Sequence, residues 1–137
     1  MATLTQIRTD LATRLAAIPN LAVYPVIHDG MEPPCVVVGM PDPLEYNLTF
    51  GPTAGVYTIP LRLYVSRFDA ELAQEALDEF IAPTGLTSVK RAVEDTTVAI
   101  LSGWHTVTVT KVGEFGAYRL GDVDHLGCEF TTEVVAT

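Results

Sequence analysis

The segment from Tyr57 to Ser66 alternates apolar with more polar residues, and this alternation constrains the fold more than any other feature of the sequence. Successive side chains of a strand point to opposite faces of a sheet, so a period of two predicts a strand with one buried face and excludes a helix. Pro60 cannot donate to a sheet ladder, so we expect a sheet edge or a bulge there. The apolar parity comprises Tyr57, Ile59, Leu61, Leu63 and Val65.

An amphipathic helix is predicted at the start of the chain, where apolar residues recur every three or four positions up to Pro19. Thr3 and Gln6 have the spacing of a capping box. The apolar stripe comprises Leu4, Ile7, Leu11, Leu15 and Ile18. The residues off the stripe are expected to face water, namely Arg8, Asp10, Thr13 and Arg14.

Two further helices are predicted in the middle of the chain. The first is expected to open at Ser66, where Ser66 and Asp69 form a weak cap signal, and to end before Pro83. Its buried stripe comprises Leu72, Ala73, Ala76, Leu77, Phe80 and Ile81. A third, short helix is expected over residues 88–94.

The remaining segments favour strands. Residues 21–27 predict a strand that lies at a sheet edge or starts irregularly, because Pro25 cannot donate to a ladder. The run 35–40 has apolar residues on both faces and predicts a central strand. After residue 97 we expect a short strand at 98–101, a strand at 104–112 and a turn within 113–121. A final strand follows, and its buried face carries Leu126, Cys128, Phe130 and Val134. This order predicts an α+β fold: a mixed, mostly antiparallel sheet with helices packed on one face and an extended β flap.

Composition excludes several classes of protein. The 137 residues suit one domain spanning 1–137, and 48% hydrophobic with 18% charged residues argues against disorder. Eight Lys and Arg against 17 Asp and Glu give a formal charge of -9, which opposes a role in gripping phosphate backbones. No apolar run approaches the ~20 residues of a membrane span, and the first residues lack a signal-peptide layout. We therefore expect a soluble, intracellular protein with Cys35 and Cys128 as small buried hydrophobes.

Catalytic and metal-binding patterns are weak, so we predict no catalytic, cofactor-binding or metal-binding residue. Gly51–Gly55 lacks the Lys of a phosphate-binding loop, and nothing marks Ser102 as a nucleophile. Imidazole and carboxylate can bind a divalent metal, but the histidines lie in separate segments and a turn role is favoured. These residues are His28, Asp29, His105, Asp122, Asp124 and His125.

Two other features have a structural interpretation that we favour. The acidic residues from Glu71 to Glu79 could bind cations or a basic partner, but a solvated helix face is the default for this spacing. Trp104 beside a glycine favours a core anchor over a ligand platform.

Residues 41–55 form the predicted flap, which contains three of the chain's prolines and also alternates. Its apolar positions are Leu44, Tyr46, Leu48 and Phe50. The flap is either a surface loop folded onto its own domain or an arm that lies on a neighbouring subunit, and the residues alone favour neither. Under the second interpretation these four residues form a subunit interface.

The whole chain resembles the tail terminator, or tail completion, proteins of long-tailed bacteriophages. The resemblance lies in the order of the segments and in their residue patterns, and it includes no catalytic signature. It is carried by Ile18–Tyr24, by the proline pair that leads into a strand at Pro33–Val38, by Tyr57–Ser66 followed by Ala73–Asp78 and Ser88–Asp95, and by the ending Tyr118–Gly121 and His125–Val135.

The resemblance implies a non-enzymatic virion protein without cofactors. It implies a homo-oligomeric ring of six subunits that caps the tail tube, ends its polymerisation and offers a surface to head-completion or connector proteins. DNA would pass through the lumen without specific binding. The protein would be made in the host bacterial cytoplasm and reside at the head–tail junction, away from any membrane.

Two alternatives remain open at this point. One is another neck, connector or tail tube protein of the same particle. The other, from a different class, is a small-molecule-binding or hydrolytic α+β domain, which would need a deep pocket with converging polar groups.

Overall fold

The computed structural model of the chain describes residues 4–19, 21–25, 34–40, 44–46, 55–67, 73–94, 104–120 and 123–136. The helices are α1 (Leu4–Leu15), α2 (Ala73–Ile81) and α3 (Val89–Glu94). The strands are β1 (Ala22–Tyr24), β2 (Cys35–Val38), β3 (Leu44–Tyr46), β4 (Gly55–Arg67), β5 (Trp104–Leu120) and β6 (Val123–Ala136). The predicted strand at 98–101 and the Thr3 cap lie outside these residues.

The six described strands form one sheet in the order β1-β2-β4-β6-β5, and β3 pairs with the start of β4 on the side where β2 pairs with its later half. Only β1 and β2 are parallel; the other described pairs are antiparallel. This is the mixed, mostly antiparallel sheet that the sequence predicts. The edge position of β1 and the buried, central position of β2 are also as expected.

The main core lies between the sheet and the three described helices, which all pack on one sheet face. All five apolar residues of the alternating segment, Tyr57 through Val65, are buried in it. The stripe of α1 joins them through Ile7, Leu11 and Leu15. Cys128, Phe130 and Val134 of β6 lie on the same face, as predicted. Thr132 is also buried there, and its hydroxyl has no hydrogen-bond partner among the described residues.

The expectation that Asp10 and Arg14 face water is wrong, since each residue is only 4% exposed. Arg14 Nε lies 3.3 Å from Asp10 Oδ2, one helical turn away. Arg14 Nη1 also donates a 2.5 Å hydrogen bond to the carbonyl of Val93, at the end of α3. The carbonyls of a last helical turn lack partners within their helix, so the guanidinium both pairs with Asp10 and ties α1 to α3.

The short helix α3 is held at both ends by side chains. Ser88 Oγ accepts a hydrogen bond from the backbone N–H of Arg91 and donates to the carbonyl of Ala82, so it caps the helix and ties it to the end of α2. Glu94 accepts from Lys90 and from the backbone N–H of Val109 in β5. These contacts explain how a helix of six residues keeps its place on the sheet.

Two expectations about where strands end are wrong. Ser66 continues β4 and does not open a helix, and α2 is described only from Ala73. The sequence predicts a turn within residues 113–121, but residues 113–120 belong to β5, which accommodates a register shift against β6 between Gly113 and Gly116. Glu114 lies inside this shift with a φ of 55°, so this part of the segment is a β-bulge. Gly121 lies outside the described residues.

The expectation that Pro60 marks a sheet edge or a bulge is also wrong. It sits in β4, the strand between β2 and β6, opposite Thr131. Its carbonyl accepts a 2.8 Å hydrogen bond from the N–H of Gly39, just beyond the end of β2. The N and C=O groups of one residue in an antiparallel strand point to the same side, so the missing donor of Pro60 also faces Gly39, where the described β2–β4 ladder has already ended at Val38 and Leu61.

Candidate functional site

The sheet face opposite the helices carries a groove, which we call the sheet-face groove. No described helix packs on this face. The groove has a volume of about 280 Å³ and lies where β2 ends beside the middle of β4 and β6. Its lining residues are Val37, Gly39, Met40, Pro60, Arg62, Tyr64 and Glu129.

Close approach of Gly39 to Pro60 shapes one end of the groove. A Cβ atom at position 39 would lie 2.8 Å from Pro60 Cγ and 3.0 Å from its carbonyl oxygen. Only glycine fits here without a shift of the strand. Beyond Gly39, Met40 is 60% exposed at the rim of the groove.

Arg62 and Glu129 supply the charges of the groove, and they neutralise each other. Arg62 Nη2 donates a 2.7 Å hydrogen bond to Glu129 Oε2 across the β4–β6 pair. This hydrogen bond is the main reason that the pKa of the Arg62 guanidinium is raised, while burial opposes the shift. The guanidinium carbon also lies 5.1 Å from the centre of the Tyr118 ring, a cation–π distance.

Two tyrosines form an aromatic support behind this ion pair. The rings of Tyr64 and Tyr118 meet edge to face with centroids 5.6 Å apart. Burial raises the pKa of Tyr118, with Arg62 opposing the rise, and the protonated hydroxyl donates to the carbonyl of Glu114 at the bulge. Tyr64 joins Cys35 and Val37 in a second, smaller core on this face. The arrangement is largely apolar and suited to receiving a side chain.

The predicted flap falls partly within the described residues. Residues 44–46 form β3, which pairs antiparallel with residues 55–57 of β4, so Leu44 and Tyr46 belong to a ribbon that continues the sheet. Leu48 and Phe50 lie outside the described residues. The interface role of these four residues stays a prediction.

The candidate metal and catalytic residues are not brought together in the described part of the chain. Asp124 is exposed and forms an ion pair with Arg119 at 3.3 Å. His125 lies opposite Tyr118 in the β5–β6 ladder. Across the described ranges, no three His, Cys, Asp or Glu side chains are close enough to hold a metal ion. His105 is in β5, while His28, Asp29, Ser102 and Asp122 lie outside the described residues.

The acidic helix face is solvated where it is described: Glu75, Asp78 and Glu79 of α2 are exposed, whereas Glu71 lies outside the described residues. Trp104 is the first residue of β5. None of the described helices is long and apolar enough to cross a membrane.

Both cysteines are free and buried, as the sequence predicts. They lie on opposite sheet faces, because Cys35 is opposite Tyr64 in the ladder and Cys128 is opposite Leu63. Burial raises the pKa of Cys35 to about 11 and that of Cys128 to about 12. At neutral pH neither thiol supplies a thiolate nucleophile.

Sequence reasoning missed the sheet-face groove. A charged residue, Arg62, stands between two apolar positions on the more polar side of β4, and Glu129 holds the matching position in β6. Both residues are visible in the sequence, but their pairing depends on the register between β4 and β6. Arg62 and Glu129 are 67 positions apart in the chain, so local sequence patterns do not reveal that register.

Comparison with known proteins adds no assignment: no protein-family model matches the chain, and no curated protein matches it significantly.

Proposed function

We propose that this protein is a structural assembly protein of a bacteriophage tail. In this proposal, copies of the chain form a ring, of six subunits, that caps the tail tube, stops its polymerisation and presents a joining surface to head-completion proteins. The protein then resides at the head–tail junction of the virion, has no cofactor and catalyses no reaction. The proposal follows the resemblance of the sequence to tail terminator proteins.

The observation that carries the proposal is the one-sided sheet. Three helices cover one face, while the other face carries a groove with an exposed methionine at its rim and charges that already neutralise each other. A reaction centre needs ionisable groups that are free to change charge during the reaction. A groove with an apolar lining and a satisfied ion pair is better suited to contact with another protein.

The charge distribution is compatible with a ring around DNA. The chain has a formal charge of -9, and the described face of α2 exposes Glu75, Asp78 and Glu79. Acidic groups repel phosphates, so a lumen bordered by such groups would let DNA pass without retaining it.

The proposal is tested by adding the purified protein to polymerising tail tube subunits of the same phage and measuring tube lengths by electron microscopy. A terminator shortens the tubes and appears only at their ends, with a ring visible end-on. Mass photometry of the protein alone and of released caps should show multiples of the 14.8 kDa chain, with six copies as the largest closed species.

Two results would overturn the proposal. Incorporation of the protein along the whole tube would identify a tube subunit. Unchanged tube lengths together with a monomer at every concentration, with and without tubes, would remove the basis for a capping ring.

A further inference from the structure

We propose that the side chains of Lys90 and Glu94 take the place of a neighbouring strand beside Val109, and that they thereby keep two copies of the chain from pairing through the edge of β5. The inference goes beyond the proposed ring and does not depend on it. It assigns the edge of β5 as a self-complementary surface, a second copy of the chain as its partner, and the two α3 side chains as the groups that keep this edge closed.

β5 is the outermost described strand on its side of the sheet, since it pairs with β6 and no described strand lies beyond it. The outward backbone groups of such a strand are a template for another strand. In an antiparallel ladder, the N–H and C=O groups of one residue point to one side, and those of the next residue point to the other. Val109 directs both groups away from β6, because its N–H donates to Glu94 and its carbonyl lies toward Lys90. Val107, two positions earlier in the same register, therefore also points outward.

Two side chains of α3 satisfy both outward groups of Val109. Glu94 Oε2 accepts a 2.9 Å hydrogen bond from the Val109 N–H, and Lys90 Nζ lies 3.5 Å from the Val109 carbonyl oxygen. Lys90 Nζ also donates a 2.5 Å hydrogen bond to Glu94 Oε2, one helical turn away. A residue in a hydrogen-bonded pair of strands would exchange the same two bonds with its partner. The ion pair therefore substitutes for one residue of an adjoining strand.

The sequence of this edge suits pairing with a copy of itself. Residues 106–110 read Thr-Val-Thr-Val-Thr, a run of β-branched residues without charge, glycine or proline. The run is the same in both directions, so two antiparallel copies centred on Thr108 match Thr with Thr and Val with Val. In that register Val107 of one copy lies opposite Val109 of the other, and the outward groups of both residues meet. A second copy is therefore the partner that this edge fits.

Occupation of Val109 is sufficient to prevent this pairing. In the two-fold register, each hydrogen-bonded pair within residues 106–110 uses Val109 of one copy and Val107 of the other. An incoming strand would have to displace the charge-assisted hydrogen bond from the Val109 N–H and move Glu94 away from Lys90. The edge stays closed as long as the ion pair is seated on the strand.

The test compares two variants that make the same change in charge. Glu94→Ala leaves the Val109 N–H without its acceptor, whereas Glu94→Gln retains an oxygen that can accept from it. The side chains of Lys90 and Glu94 are 39% and 29% exposed, so we expect both variants to keep the core, and circular dichroism melting checks this. Each variant is combined with Thr108→Cys, because Thr108 is exposed and would face its own copy across the two-fold axis, within reach of a disulfide.

Mild oxidation is expected to give a disulfide-linked dimer at least about tenfold faster in Glu94→Ala with Thr108→Cys than in Glu94→Gln with Thr108→Cys. The native thiols of Cys35 and Cys128 are buried, so the cross-link reports position 108. It reports contact through the edge of β5 whether or not the chain also forms a ring. Equal rates in the two cysteine variants would overturn the inference.

Sedimentation velocity gives a second readout without the cysteine. Glu94→Ala should self-associate at least about tenfold more tightly than Glu94→Gln. Adding Thr108→Lys to Glu94→Ala should abolish this difference, because like charges would then lie opposite each other in the paired strands. Extra association that survives Thr108→Lys would place the contact elsewhere and overturn the inference.

Lys90→Ala keeps the test decisive if Glu94→Ala does not fold. This variant removes the ammonium group that holds Glu94 beside the strand. Combined with Thr108→Cys, it should cross-link faster than Thr108→Cys alone. An unchanged rate would contradict the role assigned to the ion pair.

Discussion

The ring of Tyr118 occupies the space that a side chain at position 127 would fill. A Cβ atom on Gly127 would lie 2.8 Å from Tyr118 Cδ2 and 2.5 Å from the carbonyl oxygen of Leu63. The Tyr118 ring that occupies this space also meets the Tyr64 ring edge to face and lies 5.1 Å from the Arg62 guanidinium carbon. The aromatic support of the groove therefore depends on a residue that has no side chain.

Gly127→Ala is expected to lower the free energy of unfolding by about 2 kcal/mol, because the carbonyl of Leu63 belongs to the ladder and cannot move aside. Gly113→Ala is the matched control: the same addition in the neighbouring strand meets nothing within 4 Å, and its effect should stay within ~0.5 kcal/mol. Urea denaturation of both variants measures the difference. Equal free energies of unfolding for the two variants would show that the backbone around Gly127 can shift to accommodate the added Cβ atom.

Removing one partner of the buried Asp10–Arg14 pair is expected to lower the free energy of unfolding much more than replacing both partners with apolar residues. Arg14→Met leaves the Asp10 carboxyl buried without its partner, and we expect a loss of about 3 kcal/mol in the free energy of unfolding. The double variant Asp10→Leu with Arg14→Met removes both charges and should recover most of that loss. A double variant no more stable than Arg14→Met would show that the hydrogen bond to Val93 matters more than the charge pairing.

The same carboxyl should make stability depend on pH. Burial raises the pKa of Asp10 above its ordinary value of 3.8, and the charge of Arg14 only partly opposes this. The folded protein therefore binds the proton more tightly than the unfolded chain does. The stabilisation from this proton is full below pH 3.8 and is lost as pH rises through the folded pKa.

Asp10→Asn removes the titrating carboxyl, so comparison with the unaltered protein isolates the contribution of Asp10 to the pH dependence. The unfolding free energy of the unaltered protein minus that of Asp10→Asn should fall as pH rises from about 4 and then level off. Chemical denaturation in steps of pH measures the difference. A difference that rises with pH would mean that Arg14 stabilises the ionised carboxylate by more than burial destabilises it.

The two thiols are expected to be inert in the folded protein. With pKa values of about 11 and about 12, Cys35 and Cys128 present a thiolate fraction at pH 8 of about one in a thousand or less. Labelling by iodoacetamide should proceed at the rate of unfolding and accelerate in urea. Oxidation should form no intramolecular disulfide, since the sheet separates the residues; a bridged monomer would contradict the assigned faces.

Local periodicity was sufficient to predict most elements of the fold. The alternation from Tyr57 to Val65 places five side chains in the core, and the three-and-four spacing of α1 does the same for Ile7, Leu11 and Leu15. Burial of apolar surface dominates these positions, and it follows the period of the backbone whatever the partner is.

Local periodicity did not predict features that depend on strand pairing between residues far apart in the sequence. Glycines in a β-bulge and glycines in a turn look alike in a sequence, so only the ladder with β6 reveals that β5 runs through Gly113 and Gly116. Pro60 is tolerated in an internal strand because β2 ends and β3 begins beside it. The residues next to Pro60 in the sequence do not indicate where these two strands end.

By itself, the sequence determined the α+β class, the buried faces of the long strands and the buried state of both cysteines, because these depend on hydrophobicity and local period. Only the tertiary structure decided that Asp10 and Arg14 are buried and that Arg62, Glu129, Tyr64 and Tyr118 meet beside a groove. The partners of a charged or aromatic side chain are set by strand register and helix docking, which join residues far apart in the chain.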